Sequence, residues 1–370
     1  MEKILFITPH LKGGGAERVI LSLANEFSEI EDIDTTLMVN NFTGPYIKDI
    51  KHSLRTHILN KEIKVNPSLL ITLRSMIKEI NKIKPTVIMT TLTVSNLLLL
   101  AIKPFLKCNP RVVVRETNPP SAQWSGKKEK MFNVLYKLFY PRADKIIAIS
   151  DAVKMDLLGY INKDKLKNKI KVIYNPIDIE LIQRQAKERP DTNWINKKSK
   201  CNIISIGRLV PQKDYPTLLK AVAIVSQQIQ CQLTILGEGQ EYDHLVNMTK
   251  ELGITEKVHF LGFVDNPYSY LKESDLFILT SKSEGFGLVI AESLALGTPV
   301  IATNCNGAPK EILDNGKYGT LVKVADAESI AKEILDYEDP ATKKNKPSTR
   351  HYDFDIKKIA RSYYQELISD

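Results

Sequence analysis

The sequence predicts two α/β domains, each a doubly wound parallel sheet with helices on both faces, facing one another across a cleft. Three observations carry that expectation. At 370 residues the chain exceeds what one hydrophobic core usually organises. Short β-branched runs alternate with amphipathic helical windows in both halves, the pattern of parallel sheets covered on both faces. Residues 181–200 then turn polar (LIQRQAKERPDTNWINKKSK), reading as a linker with a short helix. The expected domains are 1–180 and 181–352, with 353–370 as a closing helix that returns to the first domain.

In chain order, the first half offers strands at Lys3–Thr8, Thr35–Asn40, Val87–Thr91, Val112–Glu116, Lys145–Ser150 and Lys171–Tyr174. Between them, Ala16–Ser28 aligns Val19, Ile20, Leu23, Ala24 and Phe27 on one helical stripe, and Ser68–Ile83 aligns Leu69, Leu70, Leu73, Met76, Ile77 and Ile80. The second half repeats the alternation with strands at Asn202–Ile206, Gln232–Leu236, Val258–Phe260, Leu276–Thr280 and Val300–Ala302. A last amphipathic window, Ile356–Ile368, follows a Lys-rich loop at Thr342–Arg350.

Composition narrows the classes. A 43% apolar and 26% charged chain is globular, not disordered or collagenous. Cys108, Cys201, Cys231 and Cys305 lie far apart in sequence without zinc spacing, so reduced thiols and no structural metal are expected. MEKILFITPH reads as a first strand rather than a signal peptide. The most apolar stretch, Leu97–Ile102, is far short of the roughly 20 residues of a membrane span. The net charge of +9 is unevenly placed: residues 1–180 carry 28 basic and 18 acidic side chains, residues 181–370 carry 24 and 25. One half therefore faces something anionic. A nucleic-acid partner would need a recognised module or a basic stripe with exposed aromatics, and neither is found.

Several loops follow strand ends, where doubly wound sheets bind ligands. Gly13-Gly14-Gly15 precedes a helix start that favours an anion, but its spacing is not G-x-G-x-x-G, which disfavours a dinucleotide. Asn306-Gly307 and Gly237-Glu238-Gly239 read as turns that close strands. Arg208 and Lys213 share the loop after Asn202–Ile206; a bidentate cation and a point charge together suit a diphosphate. Glu284 precedes a helix start and Glu292 lies eight residues on, at most about 12 Å along the helix. That separation is too long for proton sharing and suits hydroxyl recognition at two points of one ligand. Taken singly, each of these features is also compatible with ordinary surface loops.

Taken together the set resembles the retaining glycosyltransferases of family GT4, which have the GT-B fold. The segments that carry the resemblance are GGGAERVILSLA (13–24), IGRLVPQKDYPTLLKA (206–221), LTILGEGQEYDHL (233–245), VHFLGFVDN (258–266) and SEGFGLVIAESLALGTPVIATNCNGAPKEIL (283–313). The resemblance implies that Arg208 and Lys213 neutralise the donor diphosphate, that Glu284 meets donor-sugar hydroxyls and that Glu292 holds the ribose. It further implies that backbone N–H groups of Gly285, Phe286, Gly287, Leu288 and Val289 bind sugar and phosphates, with Gly14 and Gly15 closing from the first domain and the base near Phe263 and Val264. No metal or cofactor is implied; the nucleotide sugar, UDP-linked by family habit, is a co-substrate. Accordingly Asp32-Ile33-Asp34 and Asp353-Phe354-Asp355, which mimic a metal-binding Asp-x-Asp, are read as surface loops.

The implied activity is hexose or N-acetylhexosamine transfer, with GalNAc, Gal or GlcNAc favoured, to a glycan acceptor on a lipid carrier in surface-polysaccharide assembly. The implied location is the cytoplasm or the inner face of the cytoplasmic membrane. A GT-B-fold sugar-nucleotide epimerase is the alternative, though it gives no reason for the paired glutamates. One departure stands out. Relatives place a His where this chain reads Arg115-Glu116-Thr117-Asn118-Pro119-Pro120, so Glu116, Thr117 or Asn118, or else His10, is the expected acceptor-side residue. The window Trp124–Arg142 mixes aromatics with Lys127, Lys128, Lys130, Lys137 and Arg142, and reads equally as an anionic-membrane surface or as a helix packed on the sheet.

Overall fold

The computed structural model describes residues 2–59, 69–161, 166–190, 201–338 and 349–368. They form two compact units: residues 1–176 with 356–370, and residues 177–355.

The first unit holds a seven-stranded parallel sheet in the order β3-β2-β1-β4-β5-β6-β7. Its strands are β1 (Glu2–Thr8), β2 (Ile33–Val39), β3 (Arg55–Ile58), β4 (Val87–Thr91), β5 (Arg111–Glu116), β6 (Lys145–Ala148) and β7 (Ile170–Val172). The central strands are apolar runs because helices cover both faces. Ile4, Leu5, Phe6 and Ile7 of β1 are all buried, each contributing about 1.5–3 kcal/mol by burial. The helix Gly15–Phe27 lays Val19, Ile20, Leu23, Ala24 and Phe27 on this sheet, and Phe27 meets Phe6 edge to face at 5.5 Å. The edge strand β3 (RTHI) is largely exposed, and its polar sequence hid it from the hydrophobic pattern.

The closing helix Ile356–Ile368 belongs to this unit. Arg115, fully buried, donates to Tyr363 Oη at 3.1 Å, to Thr91 at 2.8 Å and to Asn175 at 2.5 Å. Lys145 pairs with Glu366 at 2.8 Å. The chain leaves the unit at residue 176 and returns at 356, slightly earlier and later than the 180 and 353 expected from composition. Of the helical window at 68–83, only Met76 and Ile80 are fully buried, whereas Leu69 and Leu70 are exposed.

The second unit holds a six-stranded parallel sheet, β10-β9-β8-β11-β12-β13. Its strands are β8 (Cys201–Ile206), β9 (Cys231–Leu236), β10 (Val258–Gly262), β11 (Leu276–Leu279), β12 (Val300–Thr303) and β13 (Thr320–Val322). The three-residue β13 is an edge too short to be marked by the sequence. Cys201 and Cys231, distant in sequence, are register partners on β8 and β9 and both remain free thiols. The linker's short helix is Ile179–Gln185, capped by Asp178, which accepts from Leu181 N at 2.9 Å. Residues 191–200 of that linker, and 342–348 of the Lys-rich loop, lie outside the described residues.

Each Asp-x-Asp mimic has one aspartate in a regular element and one just outside it, which corrects the reading of both as loops. Asp34 is on β2 and pairs with Arg55 at 3.0 Å. Asp353 is in the short helix Arg350–Phe354 and pairs with Arg350 at 2.9 Å.

Candidate active site

In the second unit the connections leaving β8 and β11 run in opposite directions across the sheet, because β9 lies on one side of β8 and β12 on the far side of β11. Adjacent strands whose connections diverge leave a crevice at their C-terminal ends, the switch point of a doubly wound sheet. The candidate residues collect there. The loop after β8 carries Arg208 and Lys213; the loop after β11 carries Ser281 and Glu284.

Backbone bonds lace these two loops together. Lys282 N donates to Gln212 O at 2.8 Å, Gln212 Nε2 to Ser283 O at 2.8 Å and Thr280 Oγ1 to Lys213 O at 2.9 Å. The lacing holds Lys213 Nζ in contact with Glu284 Oε1, which also accepts from Ser281 Oγ at 2.7 Å. Both members of the ion pair are largely shielded, with side-chain exposures of 18% and 9%. A pair so shielded attracts strongly, and its surroundings suit the burial of further charge only if that charge brings its own counter-charge. Arg208 differs: it is exposed, and its guanidinium has no ion-pair partner among the described residues. The site thus offers one unmatched cation beside one already paired, and a dianion would meet two positive charges only by drawing Lys213 from Glu284.

Gly307 holds Glu284 in place from the neighbouring loop. Glu284 N donates to Asn306 O at 3.0 Å, and Gly307 has φ +141°, so a Cβ there would stand 1.6 Å from Glu284 O. The sequence marks Asn306-Gly307 as a turn that could also line a cleft; its place as the floor beneath Glu284 emerges from the fold. Gly307→Ala is expected to cost about 2 kcal/mol or more, read as a lower denaturation midpoint at unchanged m.

Glu292 lies one to two turns into the helix Leu288–Leu296, which apart from Ser293 is otherwise apolar. It is buried and accepts from Tyr268 Oη at 3.3 Å, a partner the motif did not reveal. A carboxylate in the middle of such a helix is costly without hydrogen-bond donors, and Tyr268 supplies one. No side chain caps this helix at Gly287, leaving the backbone N–H end of the helix to a ligand. Phe286 is different: it is buried, and its ring meets Phe354 edge to face at 5.5 Å, so only its backbone faces a ligand. Phe263 is half exposed after β10 and Val264 half buried beside it, an open aromatic face of the kind a nucleobase stacks on. Cys305, buried near Glu284, has its thiol pushed up to about 12, first by burial and then by the Glu284 charge, and is inert.

In the first unit, the turn after β1 brings together His10, Gly14 and Glu17. His10 Nδ1 lies 3.1 Å from Glu17 Oε1, and a Cβ on Gly14 would stand 2.2 Å from Glu17 Oε2. The carboxylate of Glu17, in the first turn of Gly15–Phe27, already supplies a negative charge at this helix start. That contact is with the flexible end of a side chain, which can move aside, so the fold of this turn does not by itself demand glycine at position 14.

Glu116 calls for a correction. It ends β5 with no exposure at all, and its carboxylate accepts from Asn96 Nδ2 at 2.7 Å, Thr93 Oγ1 at 3.1 Å, Tyr136 Oη at 3.3 Å and Tyr140 Oη. Burial pushes its pKa up, against the donors that pull it down. A side chain so enclosed belongs to the unit's interior and does not reach an acceptor. Thr117 is buried and Asn118 half buried, with Asn118 Nδ2 3.4 Å from Thr117 Oγ1.

Comparison with known proteins follows the same division. The family model Glycosyltransferase Family 4 matches residues 13–181, and Glycosyl transferases group 1 matches residues 186–352. The chain is 35% identical over 265 residues, 70% of each chain, to the Campylobacter jejuni N-acetylgalactosamine-N,N'-diacetylbacillosaminyl-diphospho-undecaprenol 4-alpha-N-acetylgalactosaminyltransferase. It is 37% identical over 132 residues, 36% of this chain and 38% of the relative, to the Rhizobium meliloti lipopolysaccharide core biosynthesis glycosyltransferase LpsE. Among solved structures, Anabaena HepE in complex with UDP and glucose superposes with a TM-score of 0.82 at 20% identity over the whole of both chains. The lipopolysaccharide outer core galactosyltransferase WaaB does so with a TM-score of 0.72 at 19% identity over 99% of each. These two share the fold.

Proposed function

This chain belongs to the family 4 glycosyltransferases with the GT-B fold, and on that premise we propose that it moves a hexose or N-acetylhexosamine from a UDP-linked donor to a lipid-linked glycan acceptor, with retention of configuration, in the assembly of a cell-surface polysaccharide. The observation that carries the reading is the Lys213–Glu284 pair at the β8/β11 switch point, with Arg208 unmatched beside it.

In this reading the nucleoside diphosphate leaves an oxocarbenium-like sugar, and Arg208, Lys213 and the uncapped helix start at Gly287 stabilise the departing negative charge. Lys213 shifts its charge from Glu284 towards the diphosphate, and Glu284 is thereby released towards donor-sugar hydroxyls. Glu292 grips the ribose, with Tyr268 orienting its carboxylate. Retention follows from attack on the same face, with the leaving phosphate oxygen accepting the acceptor proton. The Campylobacter relative, which transfers N-acetylgalactosamine to an undecaprenol-linked glycan, supports both the acceptor class and GalNAc as the first donor to test. Two fixed cations take the place of a divalent ion, so no metal is invoked. The named relatives are transferases, and the epimerase alternative finds no support among them.

The test is a thermal-shift screen over UDP-GalNAc, UDP-Gal, UDP-GlcNAc and UDP-Glc, followed by turnover of the donor that stabilises. At about one hundred times its Kd a donor adds about 2.7 kcal/mol to stability, a shift of a few degrees. The expected products are UDP and an α-linked sugar by NMR, at a rate that EDTA leaves unchanged. No stabilisation by any UDP-sugar, an inverted linkage, or an epimerised nucleotide sugar without UDP release would each overturn the reading.

A further inference from the structure

The helix Gly126–Phe139 is amphipathic twice over. Its inner face buries Phe132 and Tyr136, with Trp124 stacked on Phe132 at 3.7 Å, so the aromatic edge expected for lipid contact is spent on the unit's own core. Its outer face is apolar again. Met131, Val134 and Leu138, at three- and four-residue spacing and therefore on one stripe, are 51%, 62% and 56% exposed. At 100° per residue, Lys127 falls on that same stripe, while Lys130 and Lys137 flank it on one side and Lys128 on the other. All four lysines are exposed and make no ion pair among the described residues. Glu129, the helix's acidic residue, is turned to the inner side, where it accepts from Tyr160 Oη at 3.1 Å.

An apolar stripe bordered by cations is the pattern of a helix lying in the headgroup layer: the stripe enters the acyl boundary and the lysines meet anionic headgroups. We propose that this outer face docks the chain on an anionic lipid surface. The occupant follows from charge complementarity. A half-chain carrying 28 basic and 18 acidic side chains is repelled by a second copy of itself and attracted by a negative surface. The proposal goes beyond the donor chemistry, and its test does not depend on knowing the acceptor.

Co-sedimentation of the full chain with vesicles of phosphatidylglycerol and phosphatidylcholine tests it, against vesicles of phosphatidylcholine alone. Each lysine near the surface is worth about five-fold in partitioning, so the variant with Lys127, Lys128, Lys130 and Lys137 all changed to Glu is expected to bind at least 100-fold more weakly. Met131→Ser, Val134→Ser and Leu138→Ser together, with the lysines intact, are expected to lower binding at least ten-fold. All seven side chains are exposed, and circular dichroism with UDP-sugar turnover on a soluble acceptor confirms that the variants remain folded. Equal binding by either variant, or equal binding to neutral vesicles, overturns the proposal. So does a serine variant that loses self-association in sedimentation velocity while binding vesicles as before.

Discussion

Lys213→Ala is expected to lower kcat for sugar transfer by about 10²–10³-fold, the usual loss when one preorganised stabiliser of a developing negative charge is removed. The argument rests on placement. Lys213 is held by its contact with Glu284 and by the hydrogen bonds between its loop and Thr280–Ser283, so its charge is already at the site and has only to turn from Glu284 towards a departing diphosphate. Its removal has a second consequence: Glu284, with only Ser281 left as a hydrogen-bond donor to its carboxylate among the described residues, is a shielded anion without a cation. The variant should therefore also bind UDP more weakly, seen as a smaller UDP-induced rise in Tm. Steady-state rates and the UDP-dependent Tm check this together. A kcat within three-fold of the parent, with an unchanged UDP shift, would make Lys213 a structural partner of Glu284 and nothing more. Arg208→Ala should cost less in stability, because its guanidinium holds no other group in place.

Glu116→Ala is expected to destabilise the protein by roughly 3–5 kcal/mol, the scale on which removing one member of a buried charged network acts. Tyr140 would keep a buried hydroxyl without its acceptor, at about 1–3 kcal/mol where water cannot enter, while Asn96, Thr93 and Tyr136 would fall back on Arg115 O, Gln123 Oε1 and Thr93 Oγ1 and leave a cavity where the carboxylate stood. Burial, with the Glu116 charge, pushes both tyrosine hydroxyls up, so they stay protonated and donate throughout the working pH range. Urea unfolding at neutral pH reads the loss as a lower midpoint. The sign of the pH dependence is also set. The folded pKa of Glu116 lies above its unfolded value of about 4.3, so its contribution is fully present below about pH 4 and falls as pH rises through the raised folded value. Glu116→Gln should lack that slope and cost less than Ala, since it keeps a carbonyl acceptor at the site. If Ala is tolerated within 1 kcal/mol, the network is slack and Glu116 is free for another role.

Much of the second unit's site was legible because the ligand-binding groups follow strand ends within short segments. Arg208 and Lys213 come soon after β8, and Glu284 five residues after β11, so sequence distance and spatial distance agree. What escaped the sequence came mostly from other elements, Gly307 beneath Glu284 and Tyr268 on Glu292, and in one case from a local turn, where Ser281 bonds the Glu284 carboxylate three residues on. β3 and β13 escaped because short edge strands have no apolar run to announce them.

The helix Gly126–Phe139 shows the limit most directly. Its composition announces an amphipathic basic helix, but composition does not say which apolar residues the sheet claims; packing gives Phe132 and Tyr136 to the core and leaves Met131, Val134 and Leu138 outside. Glu116 is the same lesson with opposite outcome, a motif residue that the interior keeps. By itself the sequence determined the two α/β units and the family, and set charged residues after the strand ends, because hydrophobic periodicity and strand-end motifs are local properties of the chain. Tertiary structure alone decided which charged and apolar side chains face a ligand and which face the core, because burial is a property of what lies opposite a residue, often more than a hundred positions away.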